Sequence, residues 1–499
     1  MNQCAHGSVN HLNAIMKSLK ISGKDLGKVI HVDESLISKW KSGKRALKPG
    51  SHYAEKIAEH ILSMDEPSKY AHIYKHLAGY YENIMQCSEK ELLMYFKSWL
   101  TDETDAGGTD AYDEVRNSGY TDTNISYCFK DEEGRRQATE FLNKYVLAQD
   151  TPCEIISFTT ESGKWFREDD AFYLRWKTQH NELIESGHFI SLIQPVNRSY
   201  GAMAESIVRW LPLHMTGKVI DSYIPDYVSG PINYTYFVVP GHIAVWGLSS
   251  KNYTKRINTW VSNEKDIVEN LSNIIKEYLN KAIPLFERFY YDSKTQYLNE
   301  LTGMMQRRSQ KYYHGSVTMY MPISADLIEE ILLSNGVSEK NIALAVKTYE
   351  FLTSLNLSER NRYIININTL SQLLEEDRIA LLPLSFILGE TVYTDRSAFV
   401  CLLREFIEGI LSSDLIEIAL LDESQKDDYA DINVLAQEGN RIHFMSTRGE
   451  NPFVMSVSEP TVVVAMIERT KNMWGGIPSR MKEKEYVTTR ILELLDGVH

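Results

Sequence analysis

The sequence predicts a multidomain protein, with a small all-α N-terminal domain followed by a large α/β body. Three observations predict it. Through the first hundred residues, apolar side chains recur at helical spacing. From about residue 125, helix-like stretches alternate with short β-rich runs bounded by turn residues, as in a layered sheet. The 499 residues leave room for about three domains, and a hydrophobic content of 43% supplies them with cores.

Charge divides the chain the same way. Residues 1–63 hold ten Lys or Arg against five Asp or Glu, a balance of +5, so the rest carries −19 of the net −14. An acidic total argues against a general nucleic-acid binder. A basic head on an acidic body fits one module facing phosphate while the remainder does something else. The longest apolar runs, Ile379–Leu388 and Leu415–Leu421 with its internal Glu417, are too short to span a bilayer. The N-terminus has no basic segment leading into an apolar one, so no secretory signal is read and no membrane partner is expected. The five cysteines are scattered without C-x-x-C spacing, which fits reduced thiols and a cytoplasmic location.

In the head, Leu12, Ile15, Met16 and Leu19 form the stripe of a first helix. Lys24–Ile30 is a second, with Leu26, Val29 and Ile30 inward. Asp33 is a good N-cap for a third, Glu34 to about Lys41, ended by Gly43. A fourth, Tyr53–Leu62, turns Tyr53, Ile57 and Ile61 to one side. The head is read as residues 1–63 and a helical connector as 64–101, with Pro67 in a first turn. The Asp-, Thr- and Gly-rich stretch 102–124 reads as an acidic flexible linker.

The body reads as a first α/β half, 125–294, and a second, 395–499, around a mostly helical connector, 295–394. Gly134–Gln149 is helical and Cys153–Thr159 a strand. Asp170–Glu185 is a helix, His188–Gln194 a strand, and Ala202–Trp210 a helix. Strands Lys218–Ile224, Tyr234–Val239 and Ile243–Leu248 precede a long helix, Glu264–Phe289. In the connector one strand is expected at Tyr363–Ile367. In the second half, helix Arg396–Leu411 runs into strand Leu415–Leu421, as Arg136–Leu147 runs into Cys153–Thr159. Strands Pro452–Val457 and Thr461–Ile467 then precede helix Met481–Leu495. The partial repetition of order suggests an internal duplication.

The run Ile21–Pro49, ISGKDLGKVIHVDESLISKWKSGKRALKP, resembles the lambda-repressor/Cro type of helix-turn-helix, the XRE family. Leu26-Gly27, His31-Val32, Ile37-Ser38 with Trp40, and Gly43-Lys44-Arg45 stand at the family's positions. His31 departs from the usual turn Gly, and Lys41 from the usual Glu. The resemblance implies double-stranded DNA as partner, an operator of inverted symmetry and a dimeric protein. The residue chemistry agrees. An α-helix fits the major groove, and with Val32, Leu36, Ile37 and Trp40 inward, Glu34, Ser35, Ser38 and Lys39 are left to reach bases. Gly23 and Lys24 at a helix N-terminus, with Lys41, Lys44 and Arg45 after the third helix, suit phosphates.

Catalytic motifs are not evident. There is no phosphate loop, dinucleotide fingerprint, H-E-x-x-H or nucleophile elbow. His72 and His76 are spaced i, i+4 without a third ligand, and the acids of 102–124 lack calcium-loop spacing, so no metal or cofactor is expected. The repeated helix–strand and strand–strand–helix order, with SLIQPV, WLPLH and YFVVPGHIAVWGLSSKN, resembles the phospholipase-D-like fold. That family's chemistry needs His-x-Lys in each half, and no His here is followed two residues later by Lys. Trp165, Arg167, Trp176, Trp210, His214 and Trp246 are the candidate lining of an effector pocket near strand ends. The sequence therefore reads as a non-enzymatic, DNA-binding transcriptional regulator with a sensing and oligomerising body. A phosphodiesterase or nuclease-like enzyme with a DNA-targeting head, and an antitoxin or phage-control interaction platform, are the alternatives.

Overall fold

The structure, a computed structural model, describes residues 11–48, 51–66, 69–77, 89–101, 125–161, 163–167, 169–194, 199–225, 227, 230–250, 253–315, 320–421, 429, 432–446 and 452–497. The expected linker 102–124, Pro67 and the Arg167 side chain lie outside the described residues. Two compact units form. One comprises Met1–Asp150, Gly163–Leu183 and Lys255–Glu264; the other comprises Thr151–Ser162, Ile184–Thr254 and Lys265–His499. The expected half 125–294 is thus divided between them.

The first unit begins with helices α1 (His11–Ser18), α2 (Gly23–Ile30), α3 (Glu34–Lys41), α4 (His52–Asp65), α5 (Ala71–Leu77) and α6 (Glu89–Thr101). Caps set three of the starts: Ser22, Asp33 and Ser51 accept from the backbone N–H of Asp25, Ser35 and Ala54. Leu12, Ile15, Leu26, Ile37, Trp40, Ile57 and Ile61 share one core with Ile73, Leu77, Leu92, Phe96 and Trp99. The predicted connector is therefore part of the head, because α5 and α6 carry apolar stripes that the first four helices alone do not bury.

Polar contacts lock that join. The His11 Nδ1–H donates to the Trp99 carbonyl (2.6 Å) and its ring stacks on the Trp99 indole at 4.4 Å. Buried Asp65 accepts from the Ile73 N–H and from His72 Nδ1, both at 2.8 Å. His76 Nε2 lies 2.7 Å from Ser18 Oγ. The two histidines at helical spacing are thus turned to separate protein partners. The same unit holds α7 (Asp131–Leu147), α8 (Lys164–Arg167), strand β1 (Ser126–Lys130) and most of helix α9 (Asp170–Glu185) and strand β7 (Tyr253–Ser262). The sequence pattern announces neither strand; they pair antiparallel from Ser126↔Ser262 to Lys130↔Asn258.

The second unit contains two large sheets. In the first, β2 (Glu154–Thr159), β3 (Phe189–Gln194) and β4 (Val219–Tyr223) are parallel neighbours. The hairpin β5 (Ile232–Val239) and β6 (Ile243–Ser250) lies antiparallel on the other side of β2. The second sheet repeats this order and sense. Strands β10 (Lys311–Gly315), β11 (Asn361–Asn366) and β14 (Ile416–Leu421) are parallel, and β15 (Ile432–Gln437) and β16 (Ile442–Ser446) form the antiparallel hairpin beside β10. Strand β17 (Val454–Val457) follows β16. Strands β12 (Ile379–Ala380) and β13 (Tyr393–Thr394) form a separate two-stranded pair among the described residues.

The segment between the sheets joins both edges. Ile283–Pro284 (β8) pairs with β4, and Glu287–Phe289 (β9) pairs with β17. Between the two pairings Leu285 N–H donates to the Asp221 carbonyl at 2.8 Å. Helix α10 (Tyr200–His214) packs against α18 (Pro460–Gly476) in a shared core of Met203, Ile207, Leu211, Val462, Val463 and Met466.

Three expectations are corrected. Residues 295–394 are mostly helical, as expected, but they are no mere connector, since β10 and β11 within them are central strands of the second sheet. Thr461–Ile467 lies inside α18, not in a strand. Its Val462-Val463-Val464 run suggests β-structure, but Glu459 caps Val462 N–H and Pro460 stands at the first helical position. The helix expected over Glu264–Phe289 spans Lys265–Leu279, and Pro284 lies in the edge strand that follows.

Candidate nucleic-acid interface

Helices α2 and α3 are joined by a three-residue turn. His31 adopts φ 58° and ψ 48°, and Val32 N–H returns to the Gly27 carbonyl at 2.9 Å. This left-handed residue ends α2 and redirects the chain into Asp33, whose Oδ1 accepts from Ser35 N–H at 2.8 Å. Hydrogen bonds from the Ser35 side chain and backbone hold the Asp33 carboxyl below its ordinary range. An ionised N-cap complements the positive end of α3.

Helix α3 has two chemically distinct sides. Ile37 and Trp40 are buried against Leu26 and Ile57, and Val32 and Leu36 are half-buried. Glu34, Ser35, Ser38 and Lys39 are all exposed. The predicted base-reading group is therefore brought together on one solvent-facing side. The loop after α3 folds back through an Arg45 N–H bond to the Lys39 carbonyl at 3.2 Å. Gly43 takes φ +69° within it, and Lys44 and Arg45 are exposed while Lys41 is half-buried. Lys24 is exposed at the start of α2, where Gly23 is half-buried, its absent β-carbon 3.6 Å from Ile37 Cγ2.

This arrangement can present short polar groups and one amine to a groove about 12 Å wide, with cations at the helix ends for phosphate. The intervening backbone is held from behind by an aromatic contact, Trp40 to Tyr53 at 5.5 Å.

The residues expected to line an aromatic pocket are divided between the two units. Trp165 and Trp176 belong to the first unit, where both are buried and Phe166 contacts each, at 6.0 and 4.7 Å. Trp210, His214 and Trp246 belong to the second unit. Trp246 packs half-buried beside α11 (Lys265–Leu279), while His214 is fully buried at the end of α10. Its Nε2 is 3.4 Å from Asp221 Oδ2, an oxygen that accepts a hydrogen bond from Gln194 Nε2 at 2.5 Å. Large aromatics satisfy the core of their own unit first.

Sequence reading also misses a charged cluster on the second sheet. Glu300, on α12 (Lys294–Met305), accepts from His443 Nε2 (2.9 Å) and Ser456 Oγ (2.8 Å) and pairs with Arg441. Burial raises the Glu300 carboxyl, but the hydrogen bonds from His443, Arg441 and Ser456 outweigh it and hold the group down to about 2. Burial pushes the His443 imidazole down, so a neutral ring donates to a carboxylate. Glu300 lies far along the chain from Arg441, His443 and Ser456, so no local spacing announces that the four meet. Among the described residues no cluster of three or more His, Cys, Asp or Glu could hold a metal, and no helix is long and apolar enough to cross a membrane.

No protein-family model matches the chain, and no curated protein sequence matches it. Among solved structures, the chain superposes on TrmBL2, an archaeal chromatin protein, with a TM-score of 0.24 and 13% identity, covering 54% of this chain and 92% of that one. Two structures of yeast tyrosyl-DNA phosphodiesterase, one a point mutant, give TM-scores of 0.20 and 0.21 at 10% and 11% identity. They cover 68% and 65% of this chain and 91% and 88% of theirs. Scores of this size carry no argument about fold or function, which rest on the chain's own geometry.

Proposed function

We propose that the protein is a sequence-specific DNA-binding transcriptional regulator whose N-terminal head is an XRE-type helix-turn-helix. One observation carries the reading: Glu34, Ser35, Ser38 and Lys39 are exposed together on α3, while Ile37 and Trp40 anchor its other side. The body is a non-catalytic sensing and oligomerising module in this reading, and the protein acts as a homodimer on an inverted-repeat operator. The common strand order of the two sheets supports an internally duplicated, phospholipase-D-like body. Its buried imidazoles support a non-catalytic role. His188 Nδ1 accepts from Cys153 N–H, His443 is bound to Glu300, and His214 is sealed beside Asp221.

The test is selection of bound duplexes from a random library by the full chain, with light scattering of the same sample. A recovered consensus of inverted symmetry, bound by an even-numbered oligomer and lost in Lys39→Glu, is expected. A library that shows no enrichment, or an unchanged consensus in Lys39→Glu, overturns the reading.

A further inference from the structure

Across β10, β11 and β14, the residues Tyr312, Arg362 and Glu417 stand in register, Tyr312↔Arg362 and Arg362↔Glu417. Side chains alternate across a sheet, so these three share a face with Ile364 and Ala419. That face is covered by Met473, Trp474, Ile477 and Met481. Arg362 Nε donates to Glu417 Oε2 at 2.6 Å, and the guanidinium lies 5.0 Å from the Trp474 ring and 5.8 Å from the Tyr312 ring. Glu417 is shared, since Arg360 Nη1 approaches its other oxygen at 3.3 Å.

A second cation is held at the same indole. The Lys482 Nζ lies 5.6 Å from the Trp474 ring. No described carboxylate lies within ion-pair distance of it, although Glu483 is its chain neighbour. Burial, then the charge of Arg362, lowers its basicity. Two residues earlier, Arg480 stacks on Tyr486 at 4.6 Å, also without a described acid partner. Lys484 does not add to the group, because its Nζ caps helix Arg396–Ser412 through the carbonyls of Ile410 and Ser413. Gly475 and Gly476 follow Trp474, and a β-carbon on either would meet nothing.

Packing has therefore gathered Arg360 and Arg362 around one carboxylate and set Lys482 on the same indole as Arg362, in a chain whose net charge is −14. Like charges held together in a partly desolvated place are relieved by an anion. Guanidinium and ammonium donors match phosphate oxygens, while the exposed part of the indole offers a surface on which a flat ring can stack.

We propose that the Trp474 surface flanked by Arg362 and Lys482 is a phosphate-binding site of the body. The phosphate is supplied by a free phosphorylated small molecule or by a nucleic-acid backbone. The site is independent of the head's contact with DNA.

The test uses the full chain and two probes. Tripolyphosphate binding is measured by calorimetry without DNA, and a non-operator duplex is measured by fluorescence anisotropy at low salt. Lys482→Glu is expected to weaken at least one of them about tenfold, the loss of one charge-assisted contact. Loss for tripolyphosphate marks a small phosphorylated ligand; loss for the duplex alone marks a backbone contact. Lys482→Gln should fall between wild type and the reversal, with an unchanged melting profile showing that the fold survives. Lys44→Ala, in the head, should leave tripolyphosphate binding unchanged, so failure of the DNA reading is seen separately. Absence of binding by both probes, or equal binding by wild type and Lys482→Glu, overturns the proposal.

Discussion

The β-carbon that Gly27 lacks would lie 2.8 Å from the carbonyl oxygen of Val32. That contact is between backbones, so a neighbouring side chain cannot yield to relieve it. Gly27→Ala gains helix propensity of about 1 kcal/mol, but overpacking costs about 1–3 kcal/mol. The expected net result is a destabilised head, with faster amide exchange over residues 23–48 of the full chain and weaker operator binding. Exchange at the wild-type rate would show that the turn has slack which this close approach denies.

His31 gives the opposite expectation. It is exposed and held at φ 58°, a conformation that costs a residue with a β-carbon about 1–2 kcal/mol. His31→Gly removes that strain and gives back part of it as unfolded-chain entropy. Amide exchange across α2 and α3 is expected to slow by the equivalent of about 0.5–1 kcal/mol. A faster-exchanging variant would mean that the imidazole makes a stabilising contact.

Under the proposed function, Lys39 is assigned to reading and Lys44 to anchoring. Lys39→Ala is expected to lose roughly 1–3 kcal/mol on the best operator and to relax preference at one base pair. Lys44→Ala is expected to weaken all duplexes alike and to reduce the salt dependence by about one phosphate. The check is a panel of single-base operator variants titrated at several salt concentrations. Indistinguishable profiles for the two proteins would move α3 out of the groove.

What is legible in the sequence follows physical rules. In the head, apolar spacing, N-caps and a left-handed turn all act within a few residues, so residue spacing alone reveals α2, α3 and their exposed side. In the body, the parallel strand Asn361–Asn366 is legible, but Lys311–Gly315, Ile432–Gln437 and Ile442–Ser446 are not. Every residue of those three strands is buried, so they show none of the in–out alternation that announces a half-exposed strand. Lys311 and His314 add polar residues to a fully enclosed strand and blur it further. The duplication read from sequence pattern is accordingly out of register: it aligns Leu415–Leu421 with Cys153–Thr159, whereas in sheet order the counterpart is Val219–Tyr223. Glu300 and His443 meet across 143 residues, and no local pattern encodes that meeting.

That meeting makes the body acid-sensitive, with a sign that can be worked out. Glu300 has its carboxyl held down to about 2 from an ordinary value of 4.5. The folded form therefore prefers the ionised group. Its contribution is complete above about pH 4.5 and is lost as pH falls toward 2, roughly 2–3 kcal/mol in all. His443 acts earlier in the same direction, because burial lowers its imidazole from 6.5 and the fold resists protonating it as pH drops below that value. Urea denaturation of the full chain at pH 7, 5 and 3.5 distinguishes the two. Glu300→Gln should be less stable than wild type at pH 7 and 5, with the gap narrowed at pH 3.5, where the unfolded wild-type chain takes up a proton that the folded carboxylate, held down to about 2, still refuses. His443→Gln, which keeps a donor toward Glu300 but cannot be charged, should flatten the loss between pH 7 and 5. A gap between Glu300→Gln and wild type that is as wide at pH 3.5 as at pH 7 would show that the carboxylate is not what this cluster stabilises.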